Sequence, residues 1–200
     1  MRTVQPRVAF PLLFVVFVGL TAACHVPYSG GAKSVSPAVL DDSWHRAAPT
    51  PIVRQQQQKD CGLAALAMIA GAWGRHWTLD KLQHQIPPTE KGVKLGALRD
   101  FARTHGFEAY AVRGSHDDLA RELANRRPVL LGLILPFDRK TALAHYEVAI
   151  AIDPRDGSVV TLDPATGAHM RRTRKVLEQE WKPAGYATLV VVGERVAPQP

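Results

Sequence analysis

Two alternating segments around one tight turn constrain this chain more than any other feature. Residues 145–153 and 158–163 alternate apolar and other side chains, and Pro154-Arg155-Asp156-Gly157 between them has the composition of a chain reversal. An antiparallel hairpin follows. Tyr146, Val148, Ile150 and Ile152 form its apolar face, which leaves His145, Glu147, Ala149 and Ala151 on the other. Val160 and Leu162 match the apolar face on the returning strand, so Thr161 and Asp163 share the face of His145. The reversal brings Asp163 back beside His145. Asp153 is a poorer neighbour, because eight residues of strand at about 3.3 Å each put it roughly 26 Å away. Taken alone, Asp163-Pro164 is only a strand-ending turn.

Upstream the period changes to that of a helix. Leu63, Leu66, Ala67, Ala70 and Trp73 fall three or four apart before Gly74, which predicts a buried helix directly after Cys61 with Asp60 as its N-cap. A second helix is expected from Thr78, and a third through Leu98, Phe101, Ala102 and His105 to a stop at Gly106. A strand over 107–113 follows. Ser115 with Asp118 reads as a capping box for a helix ending before Pro128, and 129–135 as a strand covered on both faces. A short helix around 175–181 and a strand over 186–192 close the sequence. The class is α+β, a helical lobe followed by a mainly antiparallel sheet, and a length of 200 residues suits one such domain.

The N-terminal residues have a different character. Arg2 and Arg7 precede an apolar run over 8–23, the charged-then-apolar order of an export signal and short for a membrane span. The run ends Gly19-Leu20-Thr21-Ala22-Ala23-Cys24, which resembles the lipobox of bacterial lipoproteins, with Thr21 where such boxes carry an aliphatic residue. Cys24 is thus a lipidation candidate, with ordinary signal cleavage or an uncleaved anchor as alternatives. Residues 1–23 are expected as a signal segment, 24–51 as a flexible Pro-, Gly- and Ser-rich tether, 52–193 as the folded domain and 194–200 as a tail. This predicts an exported domain, anchored to the membrane by lipid or signal and facing the periplasm. The formal charge of +7 falls to about +5 without the two signal arginines, and the remaining basic residues are scattered among acids, so no nucleic-acid partner is expected.

Cys61 would stand at the start of the first helix, where unpaired N–H groups and the positive helix end favour a thiolate. Gly62 leaves room beside it for a substrate backbone. The competing readings are a buried structural thiol, or a disulfide with Cys24, the other cysteine of the sequence. A thiol nucleophile needs a base and a group that orients it. Among the 8 histidines, His25 and His45 fall in the tether, and His76, His84, His105, His116 and His169 look like turn or helix-surface residues. His145 opens the alternating strand and shares its face with Asp163. An oxyanion donor could come from any of Gln55, Gln56, Gln57 or Gln58. No His-Glu-x-x-His or comparable spacing suggests a metal.

The block from Gln55 through Asp60-Cys61-Gly62-Leu63 to Met68, with Ala144-His145-Tyr146-Glu147-Val148 and Leu162-Asp163-Pro164-Ala165-Thr166-Gly167, resembles the bacteriocin-processing, double-glycine leader peptidase family. The resemblance covers roughly 51–192. It implies a papain-like fold, no cofactor, Cys61 as nucleophile, His145 as base, Asp163 as orienter and Gln55 as oxyanion donor. It also implies a peptide or protein substrate, with small residues before the cut, and a possible secretion-machinery partner. Most such peptidases front an ABC exporter and act in the cytoplasm, whereas this sequence carries an export signal and no Gly-x-x-x-x-Gly-Lys-Ser/Thr loop. A co-secreted fibre, pilin or peptide toxin is therefore the expected substrate. A catalytically silent peptide-binding module and an acyl-transferring enzyme with the same triad are the alternative functions.

Overall fold

The computed structural model describes residues 30–136 and 141–194. The apolar run over 8–23, Cys24 and the end of the 194–200 tail lie outside the described residues. The strands are β1 (Lys33–Val35), β2 (His45–Arg46), β3 (Glu108–Arg113), β4 (Val129–Pro136), β5 (Ala142–Ile152), β6 (Val159–Leu162), β7 (His169–Arg172) and β8 (Ala187–Val192). The helices are α1 (Cys61–Ala72), α2 (Leu79–Gln85), α3 (Leu95–Thr104), α4 (His116–Ala124) and α5 (Arg174–Trp181).

All eight strands join one antiparallel sheet in the order β1-β7-β6-β5-β4-β8-β3, with β2 added to β5. Strands β4 to β7 form a meander, and the last strand, β8, inserts between β4 and β3. Alternation along β4 sorts its side chains between two cores. Leu130 joins Val148, Leu162, Leu189 and Val191 under α1, α2 and α3. Val129, Leu131 and Leu133 join Leu119 and Leu123 of α4 and Leu177 and Trp181 of α5 on the opposite face. The expected α+β class and the double cover of the 129–135 strand are both found.

Helix α1 is buried all round: among its residues only Gly71 is partly exposed. Its spacing is therefore less a stripe than one side of a helix enclosed by the sheet, α2 and α3. Thr78 caps α2 by accepting from the N–H of Lys81 (3.3 Å), and Ser115 caps α4 by accepting from that of Asp118 (3.1 Å). Gly74 and Gly106 follow α1 and α3 with φ of 78° and 84°, the left-handed geometry that ends a helix most cheaply at glycine.

The expected face alternation of the hairpin holds only up to a β-bulge. Val148 pairs with Leu162 and Ala149 with Thr161, but Ala151 pairs with Val160, so Ile150 is extra. Val148 and Leu162 face α1, whereas Ile152 crosses to the core beneath α4 and α5. His145 and Asp163 lie on the near side of the bulge and keep their common face.

The expectation of a flexible tether over 24–51 does not hold for its described part. Strand β1 pairs with β7, β2 pairs with β5, and Trp44 and Ala48 are buried. Trp44 packs on Ala151 and Val160. A side chain at Gly71 of α1 would strike Pro51 at 2.3 Å, so the chain is seated closely where it approaches the domain. Apolar anchors amid Pro, Gly and Ser are what made this stretch read as linker.

Candidate active site

A 3-10 turn, Gln58–Asp60, runs directly into α1 and places Cys61 at the first α-helical position. Asp60 stands at the N-cap position of α1, as expected, but its side chain makes no capping bond to that helix. It is itself helical (φ −94°, ψ −1°), buried, and its carboxylate reaches back to accept from the N–H of Gln57 (3.0 Å) and from Nε2 of Gln83 (2.9 Å). The carboxylate thus ties the turn before Cys61 to α2. Cys61 carries a free thiol and is 7% exposed.

Gly62 serves packing. A Cβ there would lie 3.0 Å from the ring of Tyr146 and 3.2 Å from Leu98, so the missing side chain lets α1 settle on β5 and α3 and does not hold space for substrate. This contact fixes the position of Cys61 relative to His145, the residue preceding Tyr146.

His145 is 5% exposed, and its Nε2 lies 2.8 Å from Oδ1 of Asp163. The thiol of Cys61 lies beside the ring and acts on its titration. With Nε2 taken by Asp163, Nδ1 is the nitrogen left to face the thiol. Burial works against a charged imidazole, but the bond to Asp163, the neighbouring Cys61 and the nearby Glu147 carboxylate outweigh it, raising the pKa from 6.5 to about 10.

Asp163 is organised by the turn it opens. Its Oδ1 also accepts from the N–H of Ala165 (2.8 Å), its Oδ2 from the hydroxyl of Thr166 (2.7 Å), and its carbonyl from the N–H of Gly167 (2.7 Å). Burial raises the pKa of Asp163, but the bonds from His145, Thr166 and Ala165 prevail and hold it at about 2. The reversal at the other end of β6 is built alike. Asp153 accepts from the N–H of Arg155 at 2.9 Å and Gly157 donates to the Asp153 carbonyl at 2.8 Å, and both Gly157 and Gly167 have φ of 71°. In that turn the carboxylate binds the side chain of Arg155 (2.7 and 2.8 Å). The turn is common to both aspartates, and the imidazole beside Asp163 distinguishes it.

Gln55 is brought to the same corner by its backbone, whose N–H donates to the carbonyl of Pro164 (2.9 Å). Its amide Nε2 donates to the carbonyl of Gln57 (3.0 Å), and its Oε1 is buried without a hydrogen-bond partner among the described residues. Among Gln55, Gln56, Gln57 and Gln58, the residue that lines the cleft is Gln58. This cleft, about 560 Å³ in volume, opens over Cys61 and His145. Gly132, Leu133, Tyr146 and Ala187 line it from the sheet, and residues 90–93 from the loop before α3. A second hollow, about 240 Å³, reaches Asp163 from elsewhere and is lined by Glu147, Arg172, Glu180 and residues 30–32.

That second hollow exposes a cluster outside the sequence expectations. Arg172 donates to both oxygens of Glu147 (2.7 and 2.9 Å), to the Thr161 hydroxyl (2.9 Å) and to Glu180 (2.5 Å). Thr161 also donates to Glu147. Burial disfavours the Arg172 cation, but the two carboxylates overcome that cost and raise its pKa. The sequence signal available was Glu147 on the face of His145, a charged residue where an amphipathic strand buries one side. The other half, Arg172, lies on the unpredicted strand β7.

Residues 49–193 match the model of the Peptidase C39 family. The colicin V secretion/processing ATP-binding protein CvaB of Escherichia coli is 29% identical over 129 residues, which are 64% of this chain and 16% of that protein. The transport/processing ATP-binding protein ComA of Streptococcus pneumoniae is 29% identical over 128 residues, 64% of this chain and 17% of that protein. The chain thus spans about a sixth of the length of these curated relatives. Among solved structures, the peptidase domain of Streptococcus ComA superposes with a TM-score of 0.60 at 19% identity, covering 73% of this chain and 100% of that one. A double glycine motif protease from an AMS/PCAT transporter, solved with a leader peptide, gives 0.58 at 17% identity and covers 73% and 93%. The folds are shared, and the match over 49–193 settles the family: the chain belongs to the C39 family of cysteine peptidases.

Proposed function

We propose that the protein cleaves a secreted or leader-bearing polypeptide through Cys61, with His145 as acid and base, Asp163 as its orienting carboxylate and small residues preferred before the cut. The observation that carries this reading is the buried line from Asp163 Oδ1 through His145 Nε2, at 2.8 Å, to the Cys61 thiol at the helix start, under an open cleft. The thiol passes its proton to Nδ1, and the thiolate attacks the scissile carbonyl. The imidazolium returns that proton to the leaving amine, and a thioester remains on Sγ. The neutral ring then takes a proton from water, whose oxygen attacks the thioester and releases the acid. Asp163 stays ionised throughout and keeps Nε2–H fixed.

The oxyanion of each tetrahedral intermediate would be met by the backbone N–H of Cys61 and by the amide of Gln55, once that amide exchanges its bond to Gln57 for the substrate. The cleft suits an extended peptide, because Gly92, Ala144 and Ala187 in its lining allow close approach of a backbone. CvaB and ComA carry processing in their names, and a co-secreted fibre, pilin or peptide toxin is the corresponding substrate here, met with or without a secretion machine. The apolar run before Cys24 supports a domain that works outside the cytoplasm, tethered on the periplasmic side by a lipid on Cys24 or by an anchor.

The test compares cells carrying the natural chain with cells carrying Cys61→Ala, by mass spectrometry of secreted polypeptides encoded nearby. An uncut precursor is expected only with Cys61→Ala. Unchanged cleavage by that variant would overturn the mechanism, and the intact mass of the membrane-fraction protein reads the lipid separately.

A further inference from the structure

His145 has two carboxylates to choose from. One side-chain nitrogen or oxygen each of His145, Glu147 and Asp163 lies within 4.8 Å of the other two, and all three residues are buried. Two carboxylates at such range repel each other, and each is an acceptor for the same ring N–H. A free Glu147 would therefore draw the ring away from the geometry that faces Nδ1 to Cys61, or take a proton that discharges one member of the pair.

The structure shows why neither happens. Both oxygens of Glu147 are taken by Arg172 in a two-pronged contact, with Thr161 donating as well, and Arg172 is anchored from its other side by Glu180 of α5. We propose that Arg172 is a positioning residue for the candidate triad: it occupies Glu147 completely, so that Asp163 alone holds Nε2 of His145, and it sets the charge that the imidazole feels from behind.

This inference rests on the proposed peptidase mechanism and deepens it. The groups around the ring are Cys61 from α1, Glu147 from β5, Asp163 from the turn after β6, Arg172 from β7 and Glu180 from α5, with Lys59, Glu90 and Lys91 across the cleft. Glu147, Arg172 and Glu180 together carry one net negative charge. Replacing Glu147 by Gln makes the trio neutral, replacing Arg172 by Met doubles its negative charge, and the double variant returns it to the natural value. A more negative trio holds the imidazolium to higher pH and a less negative one releases its proton earlier.

The experiment follows the rate at which iodoacetate alkylates Cys61 in the full chain as a function of pH, read by mass spectrometry. The anionic reagent is favoured while the ring is charged, so the alkaline fall of the rate marks loss of the imidazolium proton. The expected results are a fall displaced to lower pH by about one unit in Glu147→Gln, displaced upward in Arg172→Met, and close to the natural position in the double variant. A merely structural cluster would give losses of the same sign in both single variants and the largest loss in the double one, and that outcome would falsify the proposal. If Arg172→Met does not fold, the downward shift in Glu147→Gln and its reversal in the double variant decide alone. Should the natural protein show no alkaline fall that His145→Ala removes, the peptidase mechanism itself fails. An intact natural profile with unmoved variants overturns the positioning role only.

Discussion

Asp163 holds His145 diagonally across the β5–β6 pair: Nε2 and Oδ1 are 2.8 Å apart, although the pairing of Val148 with Leu162 sets Glu147, not His145, directly opposite Asp163. Diagonal neighbours on one sheet face are within reach of long side chains, and the turn after β6 aims the carboxylate along that diagonal. The contact therefore depends on both the register of the hairpin and the hydrogen bonds inside the Asp163 turn.

The first prediction concerns pH. The folded pKa of His145 is about 10 against an ordinary 6.5, so its contribution to stability is fully present below about 6.5 and is lost as pH rises through about 10. Asp163 runs the other way: its folded value is about 2 against 3.8, so its contribution is present above about 3.8 and is lost as pH falls through about 2. Asp163→Asn removes the carboxylate that overcomes the burial of His145. The alkaline fall in iodoacetate alkylation of Cys61 should move down by at least about one unit, with a lower melting temperature at neutral pH. An unmoved profile would mean that the ring does not depend on this contact.

Thr166 tests the turn without touching the ring. Thr166→Val deletes the 2.7 Å bond to Asp163 Oδ2 and leaves the contacts of Oδ1 with His145 and Ala165 in place. The ionised carboxylate loses one donor, so its pKa should rise and the acid limb of peptide cleavage should shift to higher pH. A several-fold fall in kcat with little change in KM is expected, because the lost bond orients a group that acts only in the chemical step. A change confined to KM would place Thr166 at the substrate instead.

The triad candidates were legible in the sequence for a reason that the bulge at Ile150 makes clear. Parity connects His145 with Asp163 because no irregularity lies between the strand start and the Val148–Leu162 pair, whereas Ile152, past the bulge, changes face unannounced. Strand β7 left no trace, since His-Met-Arg-Arg has no apolar alternation and Arg172 is buried by ion pairing with Glu147 and Glu180. Gly62 gave the right place for the wrong reason: the requirement for a missing side chain comes from Tyr146 and Leu98. Strands β1 and β2, of three and two residues, are shorter than any pattern can register, and only Trp44 among Pro, Gly and Ser hinted at packing.

Trp44 separates a packed N-terminal segment from a tether. Its side chain is 6% exposed, rests on Ala151 and Val160, and has the guanidinium of Arg171 5.5 Å from its ring centre. Trp44→Ala should cost about 3–5 kcal/mol of stability, read by urea unfolding, as expected for a large aromatic side chain removed from a core. Val39→Ala, at an exposed position in the same segment, should cost little. Equal and negligible effects would restore the linker reading of residues 33–51.

Gly62 links packing to the nucleophile. In Gly62→Ala the added methyl group would stand 3.0 Å from Tyr146 and 3.2 Å from Leu98, tighter than ordinary contact, with packed side chains on both sides of it. Relief requires α1 to lift from β5 or the Tyr146 ring to turn, and either motion alters the approach of Cys61 to His145. The expected cost is about 1–3 kcal/mol of stability together with a loss of activity larger than the fraction unfolded explains. Leu98→Ala in the Gly62→Ala background opens space beside the new methyl group and should restore part of the activity while lowering stability further. Recovery of activity without recovery of stability would show that the glycine is required for the placement of Cys61, and a parallel loss of both would assign it to folding alone.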